Sequence, residues 1–431
     1  MNTVNEAIIY QEQLGQPTPV PKEDYSSPYP LFDILPGRRR SSDIIKVEDL
    51  ERTPGFPKVK LTGFFQADAA SFLQDKESLA TFGNIQDVRG FRRTRLAAIG
   101  DVTQNVSYML EMDFAFPGRP SFMDVWMDVH SIPLLGNVRV GQWRMPFGMD
   151  ELTSVRELQF IERGITFGMA PFRQIGVGFH DTNAAKTVTW NVAGFGFPTD
   201  FWGDSFGDRG YGMAARLTAL PIYDDEEDRY FHLGFDYSLL NSASGTIFFR
   251  NQPEFGGPFG GVFGNTANFA VPFFVNTGTL NSNWTNLLNA EAAFGIGSWY
   301  VQSEYRCALV DLDRGGVAYL PMLYVQSGYF LTGEVRPYDK TNAVFGRVKP
   351  RNALGEGGIG AWEVTARYSY ANFNSFQNAI SGNELSDITF GLNWFLNQYA
   401  KFQFNYIHSF VNAPGLHSNT DIFAVRAQLD F

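Results

Sequence analysis

Cysteine and long apolar runs are almost absent from this sequence. The chain of 431 residues has a single cysteine, Cys307, so no disulfide can form within it. It has no run of about 18 apolar residues, which excludes a helical membrane span. No histidine lies at a spacing typical of metal ligands; the five are His130, His180, His232, His408 and His417. We therefore predict no metal site, no cofactor and no redox chemistry.

Positive charge is also scarce. There are 34 lysines and arginines against 45 aspartates and glutamates, and the formal net charge is -11. An acidic chain is a poor partner for nucleic acid, and none is predicted. The same balance, taken alone, argues against the passage of anions.

Aromatic residues and glycine, by contrast, are abundant. Phe, Trp and Tyr make up 16% of the chain and there are 43 glycines, yet the mean hydropathy is only -0.17. This combination is expected where side chains alternate between lipid and water along β-strands. A soluble β-sandwich or propeller would have a similar composition, so composition alone leaves both open.

The chain has two parts with different patterns. Residues 1–57 are rich in proline and show no sustained periodicity, which predicts an irregular extension, periplasmic if the rest spans an outer membrane. This extension is either a mobile linker or a contact to peptidoglycan or another partner. Its start, MNTVNEAIIYQEQLGQ, lacks the basic opening and apolar core of a signal peptide, so an exported protein would need a start further upstream or a trimmed sequence.

In residues 58–431 polar and apolar side chains alternate with a period of two, which is typical of half-buried strands. For example, Leu61 and Phe65 lie on one face of the first strand, and Lys60 and Gln66 on the other. The pattern predicts sixteen strands, an even number that keeps both termini on one side. They lie near 59–68, 91–100, 106–114, 123–130, 137–147, 172–180, 187–196, 211–220, 229–240, 287–294, 298–308, 321–335, 360–371, 386–396, 399–410 and 421–431.

The links between these strands favour a membrane barrel over a sandwich. Short links at 101–105, 131–136, 181–186, 221–228, 295–297 and 397–398 alternate with longer ones at 70–90, 148–171, 197–210, 241–286, 309–320, 372–385 and 411–420. Only the links 116–121 and 336–359 break this alternation of short and long links. Short periplasmic turns and long external loops are typical of bacterial barrels. We therefore predict an all-β fold, a sixteen-stranded antiparallel transmembrane β-barrel in contact with outer-membrane lipid.

The last strand ends in AVRAQLDF, with Phe431 as the final residue. A terminal amphipathic strand that closes on phenylalanine resembles the signal read by the outer-membrane barrel assembly machinery, which we expect as a partner. Phe431 could equally be a residue of the aromatic girdle.

Several segments resemble the phosphate-selective porin O and P family. They are FRRTRLAAIGDVTQNVSYMLEMDFA at 91–115, VRVGQWRMPFG at 138–148, LQFIER at 158–163, APFRQIGVGF at 170–179, LTGEVRPYD at 331–339 and GAWEVTARYSYANF at 360–373. The resemblance implies a homotrimeric porin of the cell outer membrane, with loop 148–171 folded inward. For some members it implies a basic ladder that passes phosphate. The expected function is passive diffusion of small hydrophilic solutes, selective for anions or phosphate; a non-selective or cation-preferring porin is the alternative.

Charged side chains in the narrowest part of a pore decide which ions pass. The alternation places Arg93, Arg95, Arg216, Arg306, Arg367 and Arg426 on the lumen side of their strands. We predict six pore-lining arginines, namely Arg93, Arg95, Arg144, Arg216, Arg306 and Arg367. The face of Arg144 depends on a bulge near Gly141 or an exit of the strand near Pro146. The inward loop adds Asp150, Glu151, Arg156, Glu157, Glu162 and Arg163. Guanidinium groups suit phosphate oxygens, but lumen acids could instead neutralise them in structural salt bridges, and both readings stay open.

Two other classes of protein fit the sequence less well. An outer-membrane barrel enzyme needs a serine and histidine in a recognisable arrangement, and none of the five histidines lies in one, so no enzymatic activity is expected. A structural or adhesive barrel without transport would carry long repetitive loops. Only loop 241–286, rich in Gly, Phe and Asn, is unusual, and it fits packing between subunits or stacking on sugars.

Overall fold

A computed structural model describes residues 55–115, 120–199, 210–256 and 271–431. The chain divides into two units, Met1–Pro54 and Gly55–Phe431. The predicted extension at 1–57 therefore lies almost wholly outside the described residues. No helix in the described part of the chain is long and apolar enough to cross a membrane.

The alternating segments form sixteen antiparallel strands. Their bounds are β1 Lys58–Gln74, β2 Val88–Thr103, β3 Val106–Asp113, β4 Ser121–Ile132, β5 Gly136–Arg144, β6 Arg173–Thr182, β7 Val188–Phe197, β8 Gly210–Asp224, β9 Arg229–Asn241, β10 Leu280–Ile296, β11 Trp299–Leu312, β12 Val317–Phe330, β13 Ala361–Ser375, β14 Ile380–Phe395, β15 Ala400–Ala413 and β16 Leu416–Asp430. Each strand pairs with the next, and β16 pairs with β1 from Phe64↔Asp430 to Gln74↔Thr420. The barrel is thus closed and has no free edge, and the predicted fold class is confirmed.

Strand ends are where the predictions were wrong. The expected long links at 309–320, 372–385 and 411–420 are the turns 313–316, 376–379 and 414–415. The alternation continues through the polar residues near the barrel rim, so these strands are longer than predicted. The strand predicted at 321–335 instead ends at Phe330, because the chain turns at Gly333, which has a φ of 91°.

Long connections occur at both ends of the barrel. One end, called the long-loop end, carries 75–87 with helix α1 (Lys76–Phe82), 145–172 with helix α2 (Met149–Leu152) and the 3-10 turn Ile165–Met169, 198–209 and 242–279. The opposite end, called the short-turn end, has brief turns and one long connection, 331–360. Two-residue strand pairs lie within 242–279 (Arg250–Asn251 with Val275–Asn276) and within 331–360 (Tyr338–Asp339 with Val344–Phe345).

Strand β15 shows how the sequence produces two different faces. Lys401, Gln403 and Asn405 are buried inside the barrel, whereas Phe404, between them, points outward with 43% of its surface exposed. Further along the same inner face, Ile407 and Val411 are buried in an apolar cluster with loop residues such as Phe255. The inner face is therefore polar at one height and apolar where a long loop covers it.

Candidate functional site

The connection 145–172 begins at a glycine that lies against the barrel wall. Gly148 has a φ of 83°, and its backbone N–H donates to Asp236 Oδ2 over 2.8 Å. An added Cβ would lie 2.3 Å from Arg306 Nη2, so only glycine fits here. Two residues later, Asp150 N donates to Glu304 Oε1 over 2.6 Å. This end of the loop is thereby fixed to inward-facing side chains of β9 and β11.

The second half of the loop is held by the opposite wall through its backbone carbonyls. Leu158 O accepts from Lys401 Nζ over 2.9 Å and Gln159 O from Asn393 Nδ2 over 2.8 Å. Glu162 O accepts from Arg367 Nη2 over 3.1 Å. Buried carbonyls need such donors. Since the loop binds inward-facing side chains on both sides, it runs across the barrel interior.

Glu162 joins this loop to the strands that meet where the barrel closes. Its carboxylate accepts from Arg92 Nε over 3.0 Å, from Arg93 Nη2 over 2.8 Å and from Arg426 Nη2 over 3.0 Å. Burial alone would raise the pKa of Glu162, but the coulombic effect of the three arginines is larger and holds the pKa well below its usual range. Glu162 is therefore ionised.

Glu151 lies in the opposite kind of environment. It is 1% exposed, and neither of its carboxylate oxygens has a hydrogen-bond partner in the described part of the chain. Burial raises its pKa to about 8, although Arg306, Arg163 and Arg144 act against this. Glu151 is accordingly neutral at pH 7.

Three of the predicted pore arginines serve to anchor loops. Arg306 is 1% exposed and donates to Asn289 Oδ1, Thr166 O and Glu304. Arg367 pairs with Glu254 of the loop 242–279 at 2.6 Å. Arg216 pairs with Glu291 at 2.8 Å and donates to Ala343 O of the connection 331–360. For these three arginines the geometry agrees with the salt-bridge alternative.

The other three predicted arginines, Arg93, Arg95 and Arg144, line a cavity of about 210 Å³ beside the loop. We call it the arginine cavity. It is also lined by Arg156 and Arg163 from the loop, and by two arginines that the sequence reasoning missed, Arg92 and Arg173. Against these seven arginines stand three carboxylates, Glu111, Asp113 and Asp124.

Each missed arginine has a local explanation. Arg92 is an extra residue in β2, because Gln66 pairs with Arg93 and Ala67 with Phe91, so strict parity does not apply to it. Arg173 opens β6 directly after Phe172, which has a φ of 57°. A bulge and an unusual backbone angle are not visible in the alternation pattern.

Four of the cavity arginines form ion pairs. Arg92 and Arg93 bind Glu162; Arg95 binds Asp113 over 2.8 Å, and Arg173 binds Asp124 over 3.0 Å. Buried pairs of this kind hold the wall together and leave little charge for a solute.

Arg144, Arg156 and Arg163 form no ion pair with any described residue. Strand β5 ends at Arg144, whose guanidinium donates to Glu151 O and, over 2.9 Å, to Thr153 O. Arg163 donates to the carbonyls of Asp150, Glu151 and Thr153. Arg156 donates to Thr62 Oγ1 over 3.1 Å and stacks on the Phe64 ring at 4.8 Å. We call these the three unpaired arginines; neutral groups fix their positions without cancelling their charges.

The remaining predicted loop residues do not line the arginine cavity. Asp150 Oδ2 accepts from Gly164 N over 3.0 Å within the loop. Glu157 pairs with Arg347 of the connection 331–360 at 3.1 Å.

A wider cavity of about 680 Å³ adjoins the arginine cavity toward the short-turn end. We call it the vestibule. The two spaces share Asp124, Arg144 and Ser154 as lining residues. The two cavities therefore adjoin at these three residues. No group of three or more potential metal ligands occurs in the described ranges.

The family model for the phosphate-selective porin O and P family matches residues 59–431. The chain belongs to this family. It is therefore a porin, a passive diffusion channel for small hydrophilic solutes in the cell outer membrane, as predicted.

Known relatives agree with this assignment. Porin O of Pseudomonas aeruginosa is 24% identical over 81% of this chain and 82% of its own length. Two solved structures share the fold. An anion-selective porin from Comamonas acidovorans has a TM-score of 0.52 at 12% identity, covering 87% of this chain and 99% of that one. A loop-deletion mutant of OmpT from Vibrio cholerae has a TM-score of 0.53 at 12% identity with the same coverage.

Proposed function

We propose that this porin is selective for small anions, phosphate among them, and that the arginine cavity is its selectivity site. The observation that carries the proposal is the set of three unpaired arginines, Arg144, Arg156 and Arg163. Fixed charges inside a narrow, low-dielectric passage act on ions far more strongly than charges on an open surface. Guanidinium groups also present donor forks that match phosphate oxygens.

The acidic net charge does not oppose this proposal. In the described lumen many carboxylates are already paired, as Glu162 with Arg92 and Arg93, Asp113 with Arg95, and Asp124 with Arg173. What an ion meets in the cavity is the charge left after pairing, and the three unpaired arginines leave it positive. The anion selectivity that the description of the Comamonas porin gives is consistent with an anion route.

We propose further that loop 148–171 forms the constriction, since its Arg156 and Arg163 line the arginine cavity. The route then passes from the long-loop end through this cavity into the vestibule.

The assembly and the surroundings of the barrel are also proposals. We propose a homotrimer, because the related OmpT fold has been solved in a trimer form. Outward-facing aromatic residues such as Phe404 would contact lipid. Phe431, whose backbone pairs with Gly63 at the barrel closure and whose side chain is 61% exposed, would be read by the barrel assembly machinery. We also propose that residues 1–57 form a periplasmic extension and that the protein is a channel without enzymatic activity.

Block of ion current by phosphate in planar bilayers tests the proposed function. Phosphate should reduce the single-channel chloride current of the wild type. Arg156→Gln should weaken this block about tenfold, because one charged hydrogen bond contributes about 1.5 kcal/mol. Arg229→Gln is the matched control, since Arg229 lies at a turn, paired with Glu227 at 3.0 Å. Equal phosphate block in both variants, or none in the wild type, would favour a general porin instead.

A further inference from the structure

The vestibule is larger than inorganic phosphate requires. Its volume of about 680 Å³ is some three times the 210 Å³ of the arginine cavity. Spaces of about 300–1,000 Å³ are typical of sites that hold whole organic molecules. The vestibule is thus wide enough for a solute with an organic body.

The vestibule lining has four arginines and five carboxylates, so it lacks the excess of positive charge found in the arginine cavity. Arg139 pairs with Asp128 at 2.6 Å, and Arg347 pairs with Glu157 at 3.1 Å. His180 Nε2 also lies 2.9 Å from Asp128. A bare anion therefore gains little by staying in the vestibule.

The lining also includes six neutral side chains that can form hydrogen bonds. They are Asn137, Asn191, Thr182, Thr189, Thr341 and Asn342. Asn191 lies on the inner face of β7 between the buried residues Thr189 and Ala193, and no described residue makes a hydrogen bond with its amide. An amide both donates and accepts, so it can bind a hydroxyl group in either direction.

Strand β4 contributes an aromatic ring to the vestibule lining. Trp126 lies on the inner face of β4, in the register of Asp128, and the guanidinium of Arg139 lies 4.1 Å from its ring centroid. Trp126 is also part of the vestibule lining. A fixed indole among hydroxyl-binding groups offers an apolar surface to the C–H groups of a sugar ring.

We infer that the vestibule binds the polyol part of a phosphorylated sugar while Arg144, at the junction of the two cavities, holds its phosphate. This inference rests on the proposed anion function, because the phosphate must first pass the arginine cavity. It adds a substrate class, sugar monophosphates, and a second set of contacts, centred on Trp126 and Asn191. A sugar monophosphate uses both sets of contacts, whereas a neutral sugar lacks the arginine anchor and methyl phosphate lacks the polyol.

The test compares block of the chloride current by glucose 6-phosphate, methyl phosphate and glucose in planar bilayers. Methyl phosphate has the same ester charge without the polyol, so it isolates the contribution of the vestibule. We expect half-block by glucose 6-phosphate at a concentration about fivefold lower than for methyl phosphate, as one or two neutral hydrogen bonds would produce. Glucose should block weakly or not at all.

Two variants and a control test whether Asn191 and Trp126 cause the stronger block by glucose 6-phosphate. Asn191→Ala and Trp126→Phe should each reduce the glucose 6-phosphate advantage and leave block by methyl phosphate unchanged. Trp394→Phe is the control, because Trp394 stacks on Trp362 and donates to Ile359 O outside the vestibule. If block by methyl phosphate stays at the wild-type level in both test variants, the variants have folded.

The outcomes separate the inference from the proposed function. If both phosphate esters block equally and neither variant changes this, the inference is wrong while anion selectivity stands. If neither ester blocks the current, the proposed function itself fails.

Discussion

Replacement of Gly148 by alanine should detach the constriction loop from the barrel wall. Gly148 has a φ of 83°, a region that costs a non-glycine residue about 1–3 kcal/mol. The new Cβ would also lie 2.3 Å from Arg306 Nη2 and 3.0 Å from Glu304 Oε2. Arg306 cannot easily move away, since it is 1% exposed and donates to Asn289 and Thr166.

The magnitude follows from these contacts. Loss of one hydrogen bond from the charged Arg306 adds about 1.5–3 kcal/mol to the backbone cost, which gives roughly 4 kcal/mol in total. This energy opposes the docked position of the loop, so the loop should leave the lumen for part of the time. We expect a larger and noisier single-channel conductance and faster trypsin cleavage after Arg156 and Arg163.

Gly83→Ala is the matched control for backbone strain. Gly83, after helix α1, has a φ of 74°, but no atom lies within 4 Å of the position that a Cβ would occupy. The variant should therefore lose about 1–3 kcal/mol of local stability and leave the conductance unchanged. If Gly148→Ala conducts and is cleaved like Gly83→Ala, the contact with Arg306 does not hold the loop in place.

Three further predictions concern charge and register. Glu162→Gln removes the carboxylate shared by Arg92, Arg93 and Arg426, so phosphate block should strengthen severalfold while the denaturation midpoint falls. Unchanged block would contradict the proposal that the charge left after pairing determines phosphate binding. Glu151 has a pKa of about 8 in the folded protein, above its ordinary value of 4.5, so the free energy of unfolding should fall as pH rises from about 4.5 to 8. Above pH 8 the ionised carboxylate should weaken phosphate block. Glu151→Gln should remove both effects in pH-resolved unfolding and bilayer measurements. A single cysteine at Asn191, which lines the vestibule, should react with a water-soluble maleimide, whereas one at Val192 on the outer face should be protected by lipid or detergent. The reverse pattern would contradict the register of β7.

Period-two alternation and the lengths of the links together predicted the barrel. Every predicted strand has a counterpart, and the strand number fixes the closure of β16 on β1. The strand ends were harder to predict, because polar residues near a rim lie in a strand or in a loop without a change in pattern. The segments 309–320 and 411–420 were read as loops for this reason.

The site was only partly predictable. Parity identified inward-facing arginines, but it could not show which would be covered by loops, and Arg306 and Arg367 are buried as loop anchors. That information depends on contacts between distant segments, such as Glu254 with Arg367. Arg92 and Arg173 were missed because a bulge and a strand end remove them from the alternation.

The reversal potential in a salt gradient is the most direct test of anion selectivity at the three unpaired arginines. Purified wild-type protein and the variant Arg144→Gln/Arg156→Gln/Arg163→Gln would be measured in planar bilayers under a potassium chloride gradient. We expect an anion-directed reversal potential for the wild type and a shift toward zero in the variant. Anion selectivity at this site would be contradicted if the wild-type reversal potential were near zero or cation-directed. It would also be contradicted if the potential were anion-directed and the three substitutions left it unchanged.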